Sequence, residues 1–131
     1  MTQRTAEELS ALSGEVIGAA IEVHRQLGPG LLEGCYVECL VAELAHRGIG
    51  AEKEVRIPLR YRDISIENAY RLDLLVEDEL ILEIKAVDGL LPVHSAQLLT
   101  YLKLANKKLG LLINFNVEVL RSGVKRVANG L

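Results

Sequence analysis

Apolar positions recur at helical spacing at the start of the chain. Ile17, Ala20, Ile21 and Val23 or His24 form a stripe that predicts a helix from about Glu7 to Gln26. Leu27-Gly28-Pro29-Gly30 stops it. Tyr36, Leu40 and Leu44 predict a second helix from about Leu32 to Arg47, ended by Gly48-Ile49-Gly50. The period then changes to two. Val55, Ile57, Leu59 and Tyr61 predict a strand from about Glu52 to Tyr61, in which Pro58 requires an edge or a bulge. Arg62-Asp63 reads as a turn. A second strand begins near Ile64 or Ile66 and runs through Asp73 to Val76; a third runs from Leu80 to Ala86 and ends at Val87-Asp88-Gly89. A third helix follows from about Val93 to Ala105, with Leu98, Leu99 and Leu102 covering the sheet. The near-continuous apolar run within Lys108 to Phe115 reads as a buried strand, and Val117 to Val127 as a terminal hairpin or extended edge. The order α-α-β-β-β-α-β predicts an α/β fold, a mixed sheet of about four strands flanked by helices. A right-handed crossover through the third helix returns the last strand parallel to the one before it. No repeat, low-complexity linker or second domain interrupts the pattern, so residues 1–131 read as one domain.

Three charged residues disturb this pattern. Asp73 lies inside Arg71-Leu72-Asp73-Leu74-Leu75-Val76, and Glu83-Ile84-Lys85 lies inside the next apolar run. Asp, Glu and Lys are poor strand formers, and removing their charges from water is costly unless they are paired or bound to metal. Register makes the point sharper, because a one-residue slip exchanges the two faces of a strand. The apolar face Leu72, Leu74, Val76 meets the apolar face Leu80, Leu82, Ile84 only if Leu74 lies opposite Leu82 and Val76 opposite Leu80. That requires an odd loop, most simply Glu77-Asp78-Glu79, and it sets Asp73 opposite Glu83 with Lys85 two residues further on the same face.

Like charges directly opposite one another destabilise a sheet, and a divalent cation removes the conflict. Mg2+ or Mn2+ is the expected cofactor: a hard ion takes oxygen ligands and keeps several waters, so Asp73, Glu83 and the Ile84 carbonyl would hold it with open coordination positions. Such an ion polarises a phosphoryl group, while Lys85 positions or deprotonates the attacking water. The same residues also admit a plain salt bridge between Lys85 and either acid on a solvated face.

Further motifs flank these three residues. Gly30-Leu31-Leu32-Glu33-Gly34-Cys35-Tyr36 spells G-x-x-E-x-x-Y; after E-x-K come Gln97-Leu98-Leu99-Thr100-Tyr101-Leu102-Lys103 and then Leu109 to Phe115. In this order and at these separations the chain resembles the GxxExxY protein family, a branch of the PD-(D/E)XK nuclease superfamily, from about Glu15 to Asn129. The resemblance implies a restriction-endonuclease-like core and a catalytic set of Asp73, Glu83 and Lys85. It implies that Glu33 supports the metal directly or through water, and that Gln97 and Tyr101 line the site beside the metal and the DNA backbone. It also implies a possible upstream histidine ligand, for which His24 is the candidate. Leu72 stands where the superfamily's name has proline, a position that varies.

The chain has 131 residues, half of them hydrophobic, and a formal net charge of −3, which is unusual for a protein that binds phosphates. The charge is uneven: residues 101–131 carry six basic side chains (Lys103, Lys107, Lys108, Arg121, Lys125, Arg126) against Glu118 alone. A basic face there is expected to guide a phosphate backbone toward the acidic pocket. Cys35 and Cys39, four apart with no second pair, suit reduced, partly buried thiols better than zinc ligands. The lack of a long apolar run or of a signal-like N-terminal segment leads to the expectation of a cytoplasmic protein without membrane contact. A nucleophilic Ser/His/Asp or Cys/His site, a P-loop and a dinucleotide fingerprint find no matching motif.

The leading expectation is therefore a metal-dependent phosphodiesterase acting on DNA by activated-water hydrolysis. Its rival is a catalytically silent nuclease-fold module that binds nucleic acid or a protein partner. Carboxylate-pair glycoside hydrolysis leaves Lys85 unexplained. The small area available to grip DNA favours a homodimer or a larger complex.

Overall fold

The computed structural model describes residues 3–131. In chain order its elements are α1 (Ala6–Leu27), α2 (Glu33–His46), β1 (Ala51–Tyr61), β2 (Ile64–Val76), β3 (Leu80–Lys85), α3 (Pro92–Ala105), β4 (Leu109–Asn114), a short 3-10 helix (Leu120–Gly123) and β5 (Val124–Ala128). The five strands form one sheet in the order β1-β2-β3-β4-β5. Only β3 and β4 run parallel; the other neighbours are antiparallel. The sheet thus has one strand more than expected: the segment after Phe115 closes the free edge of β4 through Leu109↔Ala128 to Ile113↔Val124.

Alternation along the central strands sends side chains to two cores. Leu80, Leu82, Ile84, Leu109, Leu111 and Ile113 pack with α1 and α2, whereas Ile81 and Leu112 pack with Leu98, Tyr101 and Leu102 of α3. Each fully buried leucine or isoleucine contributes about 1.5–3 kcal/mol, which is why β3 and β4, covered on both sides, carry so little polar sequence. Helix α1 starts at a capping box: the Thr5 hydroxyl accepts the Glu8 N–H at 3.1 Å and the Glu8 carboxylate accepts the Thr5 N–H at 2.9 Å. Its buried side comprises Leu9, Leu12, Val16, Ala19, Ala20, Val23 and His24, with Ile17 and Ile21 at the half-buried margin. The expected stripe is thus buried at Ala20, Val23 and His24 and half-buried at Ile17 and Ile21, and the buried side extends further to Leu9, Leu12, Val16 and Ala19.

The β2–β3 hairpin has the predicted register, Leu74↔Leu82 and Val76↔Leu80. Its loop is Glu77-Asp78-Glu79, with Glu77 and Asp78 left-handed at φ 51° and 59°. Glu77 accepts the Gly50 N–H at 2.8 Å, and Arg4 donates to it at 3.2 Å. Pro58 falls on the edge strand, where the β1–β2 register shifts between Ile57 and Leu59, as its missing donor requires.

One expectation fails at Asp73. Leu72 does not share a face with Leu74 and Val76; it packs with the α3 core while they pack with α1 and α2. The β1–β2 ladder steps from Val55↔Leu72 to Lys53↔Leu74 over Glu54, which is left-handed at φ 54°. The β2–β3 ladder stops at Leu74↔Leu82. Asp73 therefore sits at an irregularity in its strand, with its backbone outside both ladders.

Candidate active site

The irregularity at Asp73 has a chemical cause. In place of a backbone pair, Asp73 donates its N–H to Glu83 Oε2 at 2.9 Å, and Asp73 Oδ2 accepts the Ile84 N–H at 2.8 Å. Each carboxylate thus occupies a ladder position on the opposing strand, and a side chain inserted there forces the backbones apart. Asp73 and Glu83 do meet across β2 and β3, as the register argument required, but through side chain to backbone bonds.

Glu83 is only 6% exposed. Burial, and then the neighbouring Asp73, push its carboxyl up to about 8 from the ordinary 4.5, against the opposing pull of the Asp73 N–H and Lys85. Burial also raises Asp73, with the Ile84 N–H and Lys85 working against it. Among the described residues, Asp73 Oδ1 and Glu83 Oε1 accept no protein hydrogen bond. Two acids sharing a low-dielectric seam, each with an oxygen to spare, suit a hard cation with oxygen ligands. Among the described residues no three His, Cys, Asp or Glu side chains converge as a metal group. The two carboxylates could hold a divalent cation with water completing its shell.

The G-x-x-E-x-x-Y segment has a structural explanation. Gly30, at φ 102°, turns the chain into α2 in a conformation that L side chains avoid. Tyr36, fully buried and stacked on Phe115 at 4.4 Å, donates its hydroxyl to the Gly28 carbonyl at 2.5 Å and accepts the Leu31 N–H at 3.2 Å. This pins the loop immediately before Glu33. Glu33 opens α2, where the helix dipole favours a carboxylate, and its Oε2 accepts the Ala86 N–H at 3.2 Å, one residue beyond Lys85. Its charge raises both Asp73 and Glu83, so the three acids and Lys85 share one electrostatic neighbourhood.

On the other side, Tyr101 of α3 is 8% exposed and lies 5.3 Å from Tyr70, ring centre to ring centre. Burial raises its hydroxyl above the ordinary range, helped by the charges of Glu83 and Asp73. Gln97, one turn earlier, is exposed and forms no hydrogen bond with Asp73, Glu83 or Lys85. His24 is not brought to the acids: its Nε2 lies 2.7 Å from the Val117 carbonyl and its ring packs near Phe115. That bond satisfies a buried imidazole in the α1 core and leaves Nε2 committed to the backbone.

Two other expectations need correction. Lys107 and Lys108 precede Leu109, which pairs with Leu80 at the start of β3, so they lie at the sheet end away from Lys85; Lys107 faces Asp78 at 3.7 Å. These two lysines lie away from the acids, whereas Lys125 pairs with Leu112, the β4 partner of Glu83, at the level of the acids. Cys35 is exposed, and only Cys39 is partly buried.

Asn114 was not anticipated. It pairs with Lys85 in the β3–β4 ladder and is 2% exposed. Its amide donates to the Val87 carbonyl at 2.9 Å and accepts the Val87 N–H at 3.1 Å and the Asn116 N–H at 3.2 Å. The loop after E-x-K is thereby clipped to β4. In sequence Asn114 was only the polar end of an apolar run, a weak signal that such a clip was needed.

Helices on both faces of a mixed sheet, with an Asp on one strand and E-x-K on its neighbour, define a restriction-endonuclease-like protein. Residues 10–127 match the PD-(D/E)XK nuclease superfamily, and the chain belongs to it. No curated protein and no solved structure matches the chain. No helix among the described residues is long and apolar enough to cross a membrane.

Proposed function

We propose that this protein is a divalent-metal-dependent phosphodiesterase of the GxxExxY branch that hydrolyses nucleic acid, with DNA as the expected substrate. The observation that carries this reading is the reciprocal insertion of Asp73 and Glu83 into each other's strands beside Lys85. Among the described residues Lys85 forms no ion pair with either acid, and each acid keeps one oxygen without a protein donor, which favours a cation seat over a structural salt bridge.

Asp73 Oδ1, Glu83 Oε1 and the Ile84 carbonyl would hold Mg2+ or Mn2+, with Glu33 supporting them through water. When bound, the ion supplies neutralisation of the acid pair and of charge developing on the phosphoryl group. Lys85 orients the water that attacks phosphorus and takes part in moving its proton. Tyr101, held against Tyr70, limits water access on the α3 side, and Gln97 on the same helix faces the substrate backbone.

The test is cleavage of labelled single-stranded and duplex DNA and of RNA in Mg2+ or Mn2+, together with calorimetric titration of the metal. Asp73→Ala and Lys85→Ala are expected to remove cleavage, and Asp73→Ala also the calorimetric site. Cleavage that survives both changes rejects the assignments. A parent chain that binds neither metal nor cuts any strand is instead a silent binding module.

A further inference from the structure

β3 pairs with β2 only from Leu74 to Val76, so the part of β2 before Asp73 and its partner β1 continue as a two-stranded ribbon. From Asp73 back to Ile64 this ribbon spans about 30 Å at the usual rise per residue. One face is apolar: Ile57↔Tyr70 and Val55↔Leu72 rest on α3 at its base. The other face carries Arg56 directly opposite Arg71, and Arg60 opposite Ser65 nearer the tip. All three arginines are exposed.

Two like charges opposite one another weaken a sheet, and this chain as a whole is acidic. The local acids answer it only in part, for Glu67 is held at 2.9 Å by the hydroxyl of Ser65, the residue opposite Arg60, without pairing with that arginine. Among the described residues, Arg71 has only Glu54 at 3.7 Å, with both side chains more than half exposed, and neither Arg56 nor Arg60 has an ion-pair partner. Arg71 lies two positions from Asp73, about 7 Å along the strand, close enough for its charge to act on that carboxyl. The cationic row therefore begins beside the acids and leads away from them. Guanidinium groups bind phosphate oxygens through paired, charge-assisted bonds, and the tyrosine contact at the ribbon's base fixes where the row points.

From this charge complementarity we infer that the Arg56–Arg71–Arg60 face of the ribbon is the arm that grips the phosphate backbone of nucleic acid flanking the scissile bond. The inference rests on the proposed nuclease reading and adds to it the surface that holds the substrate. The arm reads charge and spacing, so it holds any sequence alike.

The test is fluorescence anisotropy with labelled single-stranded DNA, duplex DNA and RNA of one sequence, over a range of salt, alongside cleavage kinetics. Arg56→Gln and Arg71→Gln are each expected to reduce the slope of log affinity against log salt by about one. The double variant should bind about tenfold more weakly, with KM raised and kcat at saturation retained. The relative losses on DNA and RNA identify which backbone the arm holds. Because the side chains are exposed, thermal midpoints equal to the parent's confirm that the fold is intact. Lys107→Gln, at the far end of the sheet, should bind as the parent does. If the double variant keeps the parent's affinity and salt slope while the parent binds and cuts, the arm is refuted and the nuclease reading stands. If the parent neither binds nor cuts any strand, both fall. If Ile64→Ser converts a dimer to a monomer by light scattering while the arginine variants bind normally, the ribbon is a contact between copies and the arm is refuted.

Discussion

At the scale of single residues, the acid pair makes the most direct prediction. With its carboxyl near 8 instead of 4.5, Glu83 keeps a proton in the folded chain that the unfolded chain releases between those values. Stability from this source is fully present below about pH 4.5 and is lost as pH rises through about 8. Asp73 is raised as well and acts in the same sense. The metal-free protein should therefore melt at lower temperature as pH rises across this window, and Glu83→Gln should flatten the dependence. Added Mg2+ should oppose the trend, since binding requires the deprotonated carboxylates; scanning calorimetry with and without the ion checks both. Tyr36→Phe removes the hydroxyl that joins the Gly28 carbonyl to the Leu31 N–H. We expect a loss of about 1–3 kcal/mol in urea unfolding, and a fall in cleavage smaller than for Lys85→Ala because Glu33 is loosened, not removed. Asp73, Glu83 and Lys85 were legible as candidates because charges inside apolar runs are local signals, whereas Glu33 was a candidate only through the resemblance. His24 was a candidate only through the resemblance, and its buried ring instead meets a backbone acceptor, the Val117 carbonyl.

Elements set how these residues are held. The β3–β4 ladder delivers Asn114 to the level of Lys85, where it clips the following loop. Asn114→Ala leaves Val87 without its side-chain partners, at about 1–3 kcal/mol for each buried group left unpaired. It should also release the Ala86 N–H from register with Glu33, which amide exchange at Ala86 and Val87 would detect. Close by, a Cβ at Gly123 would stand 2.2 Å from the Asn114 carbonyl oxygen. Gly123→Ala must therefore move backbone, and we expect a clear fall in the thermal midpoint. The hairpin register was readable in advance because burial of Leu74, Val76, Leu80 and Leu82 admits one odd loop. The break at Asp73 was not readable: strict alternation predicts a continuous face, and nothing local says that a carboxylate will replace a ladder bond. The fifth strand was half visible, since the chain after Phe115 shows β character but not which edge it will close.

On the scale of the whole molecule, the sheet has two chemically different ends. At one, the acids and Lys85 stand where the arginine ribbon begins. At the other, Arg4, Glu77, Asp78, Glu79, Lys107 and Lys108 line an open groove of about 910 Å3 in which charges pair with one another. Solvent-reached pairs of this kind, here partly exposed, contribute about 0–1 kcal/mol. Lys107→Gln should thus change stability by less than about 1 kcal/mol and leave cleavage unaltered, measured by urea unfolding and by the nuclease assay. Lys107 and Lys108 looked like part of a guide for phosphates because charge summed along a chain ignores where a parallel crossover returns it. By itself the sequence determined the order of elements as far as β4, the hairpin register and which charged residues interrupt the apolar strands, since period, burial and charge cost act between near neighbours. Tertiary structure alone decided that Asp73 and Glu83 interlock through each other's backbones, that Asn114 holds the loop after Lys85, and that Arg56 stands opposite Arg71 next to the acids. These depend on which strands meet and how far they part, quantities fixed only when distant segments pack together.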